Sequence, residues 1–161
     1  MKAGVSESAE RAVAGVLAPP PVVYAAALAA GVGLETLLPS PRIPRRIARP
    51  VGGILLGAGG AVAGLFLRAF RRAGTPIDVG KPASSLVTAG LYRISRNPGY
   101  LGLTLMYAGI ATLARAPWAF VTLVPALVVV DRFVIAREER YLLRRFGGEY
   151  AQYMSRTRRW L

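Results

Sequence analysis

"VGGILLGAGGAVAGLFLRAF", Val51–Phe70, decides the fold class. Its single charge is Arg68, and its length of about 20 residues is what a helix needs to cross a hydrocarbon core of roughly 30 Å. Apolar side chains fill every face, whereas a soluble helix of this length needs a polar side. Gly53 and Gly57 form one small-xxx-small pair, Gly60 and Gly64 another. Such pairs predict a packing face, because helices in lipid associate by close backbone approach.

Working outward, the chain repeats this texture. Upstream lies a proline-rich basic linker, "PSPRIPRRIARP", and before it the block "PPVVYAAALAAGVGLETLL", Pro20–Leu38. Glu35 near the end of that block should face protein or the interface, since a carboxylate in lipid is costly. Residues 1–18 carry Glu7, Glu10 and Arg11 where a cleaved signal peptide would have an apolar core, so the first block reads as a retained anchor. Downstream comes a long polar segment, Arg71–Asn97, of a length that is usually functional or disordered. A third, short block starts at Pro98 and reaches about Leu113. "ARAP" then makes a tight turn into a fourth block, Pro117 to about Ala136, which Pro125 should kink. Asp131 and Arg132 mark its approach to water. The helix should continue through "REERYLLRRF" and stop at Gly147, leaving "EYAQYMSRTRRWL" as an interfacial helix. No internal repeat is visible.

These blocks predict an all-α fold: one membrane domain, residues 1–161, forming a polytopic transmembrane helical bundle of about four spans, with a C-terminal cytoplasmic amphipathic segment. Hydrophobic residues make up 53% of the chain and charged ones 18%, against the quarter usual for soluble domains. Four spans place both termini and the 71–97 segment on one side. That side carries 16 of the 21 basic residues; the other carries Arg42, Arg45, Arg46, Arg49 and Arg115. The positive-inside rule therefore puts the termini and the polar segment in the cytoplasm. A net charge of +13 permits a nucleic-acid partner, but these charges flank apolar blocks and suit anionic headgroups better. The basic segments also lack a regular stacking platform.

There are no cysteines and no histidines. Disulfides, zinc–thiolate sites, imidazole bases and Cys–His or Ser–His nucleophiles are excluded together, and no metal site is expected. Chemistry must rest on carboxylates, arginines, tyrosines, main-chain groups or a cofactor.

Two stretches stand out. In "YRISRNPGY", Tyr92–Tyr100, Asn97–Pro98 reads as a helix start, with Asn at the cap and Pro at the first helical position. The free N–H groups of that first turn carry partial positive charge, and Arg93 and Arg96 stand beside them, which suits a carboxylate or phosphate. The simpler alternative is a capped membrane helix whose arginines meet headgroups. In "REER", Glu138 and Glu139 are adjacent, and no arginine lies three or four positions from either. Lacking the spacing that pairs charges on a helix, both need a cation from elsewhere: Arg93, Arg96 or a positively charged ligand.

"GLYRISRNPGYLG" followed about 40 residues later by "EERYLLRRFGGEYAQYMSRTRRW" resembles the isoprenylcysteine carboxyl methyltransferase family, which is allied to the phospholipid N-methyltransferases. The resemblance covers roughly Thr88 to the C-terminus. It implies a membrane-embedded enzyme using S-adenosylmethionine, with residues 1–70 as two N-terminal spans and 71–161 as the cofactor-binding catalytic half. By this resemblance Asn97, Tyr100, Leu101 and Gly102 would line the cofactor, and Glu138 or Glu139 would hold its α-amino group. Arg96 and Arg156 match arginines associated with catalysis or with positioning a substrate carboxylate, with Tyr92 and Arg93 beside them. The family commonly has His where this chain has Asn97, so a mechanism needing imidazole is excluded here. The implied substrate is a lipophilic molecule entering from the bilayer with a polar head, a carboxylate by preference. A phospholipid amine is the alternative, for which Tyr92, Tyr100 or a glutamate would have to act as base. A dinucleotide-dependent sterol reductase of related fold lacks its Gly-rich fingerprint here. A non-enzymatic membrane scaffold would explain the glycines and basic edges but would bind no S-adenosylmethionine.

Overall fold

The computed structural model describes residues 19–72 and 85–161. Residues 1–18, whose charges argued against a cleaved signal peptide, and residues 73–84 of the polar 71–97 segment lie outside the described residues. Helix α1 is Pro20–Leu37, α2 Arg45–Arg72, α3 Pro98–Ala114, α4 Pro117–Val129, α5 Ala136–Phe146 and α6 Gly148–Arg156. A 3-10 turn, Gly90–Arg93, precedes α3, and a π-helical turn, Val130–Ile135, joins α4 to α5. All four apolar blocks are helical. Among the described residues, three helices are long and apolar enough to cross a membrane: α1, α2 and the continuous Pro117–Phe146 helix. The 17-residue α3 reaches only about 25 Å at 1.5 Å per residue. The first linker is shorter than its prolines suggest. Pro44 accepts the amide N–H groups of Ile47 and Ala48, and helix begins at Arg45. Arginine is a good helix former, and Pro50 falls close enough to the helix start to cost only one main-chain bond.

α2 packs most extensively on α3, and α1 on α4. The glycine register of α2 differs from expectation. Gly53, Gly57, Gly60 and Gly64 face open space, and a Cβ on any of them would meet nothing within 4 Å. The packing glycines are Gly52 and Gly59, seven residues apart, set against Gly109 and Gly102 of α3. A Cβ on Gly59 would lie 2.6 Å from Met106 Cγ and 2.7 Å from its main-chain nitrogen. The seven-residue repeat keeps one contact stripe facing a partner, which two overlapping four-residue pairs do not specify. Gly59→Leu should therefore destabilise the protein by about 1–3 kcal/mol through overpacking. Gly57→Leu should stay within about 0.5 kcal/mol of the parent. Thermal unfolding in detergent checks this, and equal effects would refute the register.

Polar groups at membrane depth are satisfied between helices, as a hydrocarbon setting requires. Thr104 gives its one proton to the Tyr100 carbonyl (2.8 Å), so the Tyr24 hydroxyl is the donor to Thr104 (2.9 Å). Tyr107 donates to the Ala119 carbonyl (2.7 Å) and Thr122 to the Ala27 carbonyl (2.8 Å). Tyr24, Tyr107, Ala111, Ala119, Leu123, Val130 and Ile135 form the core around them. Glu35 is placed as expected, against protein. It accepts the Trp118 amide N–H (2.9 Å) in the first turn of α4 and the Ser40 hydroxyl (2.7 Å). A carboxylate at a helix N-terminus is stabilised by the main-chain dipoles there. At the "ARAP" turn, Arg115 takes the left-handed conformation, φ 57°, and its Nε donates to the Ile43 carbonyl (2.6 Å).

Candidate functional site

The start of α3 is built by the C-terminal residues of the chain. Asn97 occupies the cap position and Pro98 the first helical position, but the Asn97 side chain does not cap the helix. Its Nδ2 donates instead to the Arg159 carbonyl (2.9 Å). The neighbouring main chain is tied the same way: Arg96 N–H donates to the Arg158 carbonyl (2.9 Å) and the Ser95 hydroxyl to that of Arg159 (3.3 Å). Asn97, Ser95 and Thr157 are all buried. The cap signal in the sequence was correct about where the helix begins. It missed the side chain's partner because that partner lies 62 residues away.

The two orphan acids separate into different roles. Glu139 is buried between two arginines. Arg96 Nη2 donates to its Oε1 (2.8 Å) and Arg96 Nε to the same oxygen (3.2 Å). Arg159 bonds both carboxylate oxygens, Nε to Oε1 and Nη2 to Oε2. Arg96 Nη1 is also engaged, donating to the carbonyls of Thr157 (2.7 Å) and Met154 (3.1 Å). The guanidinium expected to steer a substrate head is thus held by Glu139 and by the chain leading out of α6. Arg159 extends the cluster to Asp131 in the π turn (3.2 Å), and Trp160 Nε1 donates to the same carboxylate (3.0 Å). The Glu139 bond and the two carboxylates keep the Arg159 guanidinium charged, raising its pKa further.

Glu138 has a different environment. Its Oε1 accepts the Tyr100 hydroxyl at 2.7 Å, joining α5 to the first turn of α3. Among the described residues it forms no ion pair with an arginine. Tyr92 borders the same place. Its phenol is pushed up by burial first, then by Tyr153 and by the Glu138 carboxylate. The Tyr153 hydroxyl donates to the Tyr92 carbonyl (2.7 Å), docking α6 on the 3-10 turn, while the Tyr92 ring packs near Phe66 and Phe70 of α2. Tyr150 is buried on the Glu139 side and is pushed up to about 12, by burial and then by that carboxylate. The tyrosines lining this region therefore stay protonated near neutrality.

Of the residues singled out from the sequence, the structure brings Tyr92, Tyr100 and Glu138 to one place and Arg96, Asn97 and Glu139 to the cluster beside it. Gly102 is buried against α2, where a Cβ would lie 3.2 Å from Val62 Cγ1. Leu101 is half-buried on the first turn of α3; Arg93 and Arg156 are exposed and outside the ion cluster. Arg159, Asp131 and Trp160 were missed. The spacing test applied to the glutamates would have found Asp131, because residues 127, 128, 134 and 135 are Leu, Val, Val and Ile.

The donor set suits a ligand that brings a cation. Glu138 keeps its second oxygen, Oε2, without a donor among the described residues, and the Tyr92 and Tyr100 rings stand beside it. An ammonium or sulfonium could complete this arrangement without displacing an arginine, and aromatic faces favour such cations.

The phospholipid methyltransferase family matches residues 47–149, well over half of the chain. An uncharacterized protein of Haemophilus influenzae is 37% identical over 62 residues, which are 38% of this chain and 98% of that protein. Protein-S-isoprenylcysteine O-methyltransferase B of Arabidopsis thaliana is 36% identical over 75 residues, 45% of this chain but 36% of the plant protein. This match spans only about a third of the plant enzyme's length. No solved structure matches.

Proposed function

Because the chain belongs to the phospholipid methyltransferase family, we propose that it is a membrane enzyme that takes a methyl group from S-adenosylmethionine and places it on the polar head of a lipophilic acceptor. The reading rests above all on the Tyr100–Glu138 contact. It joins the two stretches that carry the family resemblance and leaves one carboxylate of the pair without an arginine.

When bound, S-adenosylmethionine supplies a methyl carbon activated by a sulfonium. Glu138 would hold its ammonium, with Tyr100 orienting the carboxylate through the 2.7 Å bond. Glu139, neutralised by Arg96 and Arg159, holds α5 against the start of α3 and the C-terminal segment. Tyr92, packed on Phe66 and Phe70, walls one side and helps to exclude water. A carboxylate acceptor needs no base, only alignment in a dry site, because charge is consumed as the bond forms. Arg93 on the 3-10 turn and Arg156 at the end of α6 are exposed and would be the guanidinium groups to meet such an anionic head. The acceptor enters from the bilayer and the cofactor from the cytoplasm, the side given to both termini by the 16 basic residues that flank it.

A phospholipid amine is the second reading, favoured by a glutamate that could attract an ammonium or take up a proton. One experiment tests both. The purified protein is titrated calorimetrically with S-adenosylmethionine in detergent, then incubated with labelled donor and extracted membrane lipid. Saturable binding and label in the lipid fraction are expected. Mild alkali should release the label as methanol from an ester and leave it in place on nitrogen. Absence of binding would reject the enzyme in favour of a membrane scaffold.

A further inference from the structure

The far end of α2 carries a second feature, on a face turned away from the site above. Gly64, Leu67, Arg68, Arg71 and Arg72 line an open surface depression of about 440 Å³. Their spacing puts them on one side of the helix. Phe66 and Phe70 point elsewhere, Phe66 toward Gly99 and both toward Tyr92. A Cβ on Gly64 would meet nothing within 4 Å, so the glycine leaves a notch in the helix surface. Among the described residues, none of the three guanidinium groups has a hydrogen-bond or ion-pair partner.

We propose that this notch binds one anionic phospholipid, its phosphate held by Arg68, Arg71 and Arg72 and its acyl chain lying over Gly64 and Leu67. The depth relation supports a lipid over a soluble anion. α2 has 28 residues, about 42 Å of helix, against a hydrocarbon core of roughly 30 Å. Its arginine end therefore emerges at headgroup level, while Gly64, one turn back, lies about 6 Å deeper beside the acyl chains. Guanidinium groups match phosphate oxygens with paired donors, which favours arginine over lysine for this task. Part of this charge also complements the negative end of the helix dipole. That effect requires neither a glycine notch nor Arg68 a turn earlier.

The test uses the full chain in neutral detergent. Phosphatidylglycerol or phosphatidylcholine is added, retained lipid is counted by native mass spectrometry, and thermal unfolding is followed. One phosphatidylglycerol should be retained and should raise the melting temperature, with phosphatidylcholine much weaker. Arginines near a membrane surface each contribute roughly fivefold in affinity for anionic lipid, so a triple Arg68→Gln, Arg71→Gln, Arg72→Gln variant should lose roughly 100-fold of the preference. Gly64→Leu should lose retention with all three charges intact, and it carries the test if the triple variant fails to fold. Arg42→Gln, Arg45→Gln, Arg46→Gln at the other end of the helix should leave retention unchanged. Equal retention of both lipids, undiminished retention by Gly64→Leu, or the same stabilisation by inorganic phosphate would overturn the proposal.

Discussion

Glu138→Gln should weaken S-adenosylmethionine binding by about 10- to 100-fold, the scale of a lost charge-assisted hydrogen bond at 1.5–3 kcal/mol. Glutamine keeps the side-chain length and an oxygen that can accept the Tyr100 proton, so the α3–α5 contact should persist and melting should change little. Tyr100→Phe should have a smaller effect in the same direction, because it removes the group that orients the carboxylate and leaves its charge. Calorimetric titration of the purified variants measures both. Unchanged affinity in Glu138→Gln, with the fold intact, would remove the central assignment.

The second large effect is on stability. In Arg96→Met the Glu139 carboxylate keeps only Arg159, and the carbonyls of Met154 and Thr157 lose their donor. The Arg96 and Glu139 side chains are 11% and 8% exposed. Losing one of the two cations on a buried carboxylate, together with the donor to two carbonyls, should cost about 2–3 kcal/mol, with Arg159 still compensating the charge. Arg96→Met with Glu139→Leu removes both charges and should recover most of the loss, leaving Arg159 on Asp131. Unfolding in detergent, read as a double-mutant cycle, reports the coupling. Additive losses would show that the pair does not act as a unit. Methyl transfer by the double variant then separates two roles for Arg96. A stable protein with unchanged rate would mean that Arg96 positions helices and does not steer the acceptor.

Much of the architecture was legible because lipid imposes length and polarity on a sequence directly. The four apolar blocks are helices, and Asn97–Pro98 marks the start of α3 within a residue. Glu35 lies against protein, because a carboxylate near a span must find donors. The paired glutamates could be recognised as partnerless by counting positions along one helix. What could not be read was which partner each would find. Composition showed glycines on α2 without showing which of two interleaved stripes meets α3. Nor did it single out Arg159, which joins the ion cluster because the chain leaves α6 at Thr157 and runs back along Ser95–Asn97.

The order of residues by itself determined a membrane helical protein, most of the ends of its apolar helices and the two stretches that carry the family resemblance. These follow from hydrophobic length and from capping and pairing rules that act within a few residues. Only the tertiary structure decided that Glu139 is neutralised by Arg96 and Arg159 while Glu138 faces Tyr100 without an arginine. That choice depends on a one-residue change of helical face, about 100°, and on a C-terminal segment brought back across some 60 positions of chain.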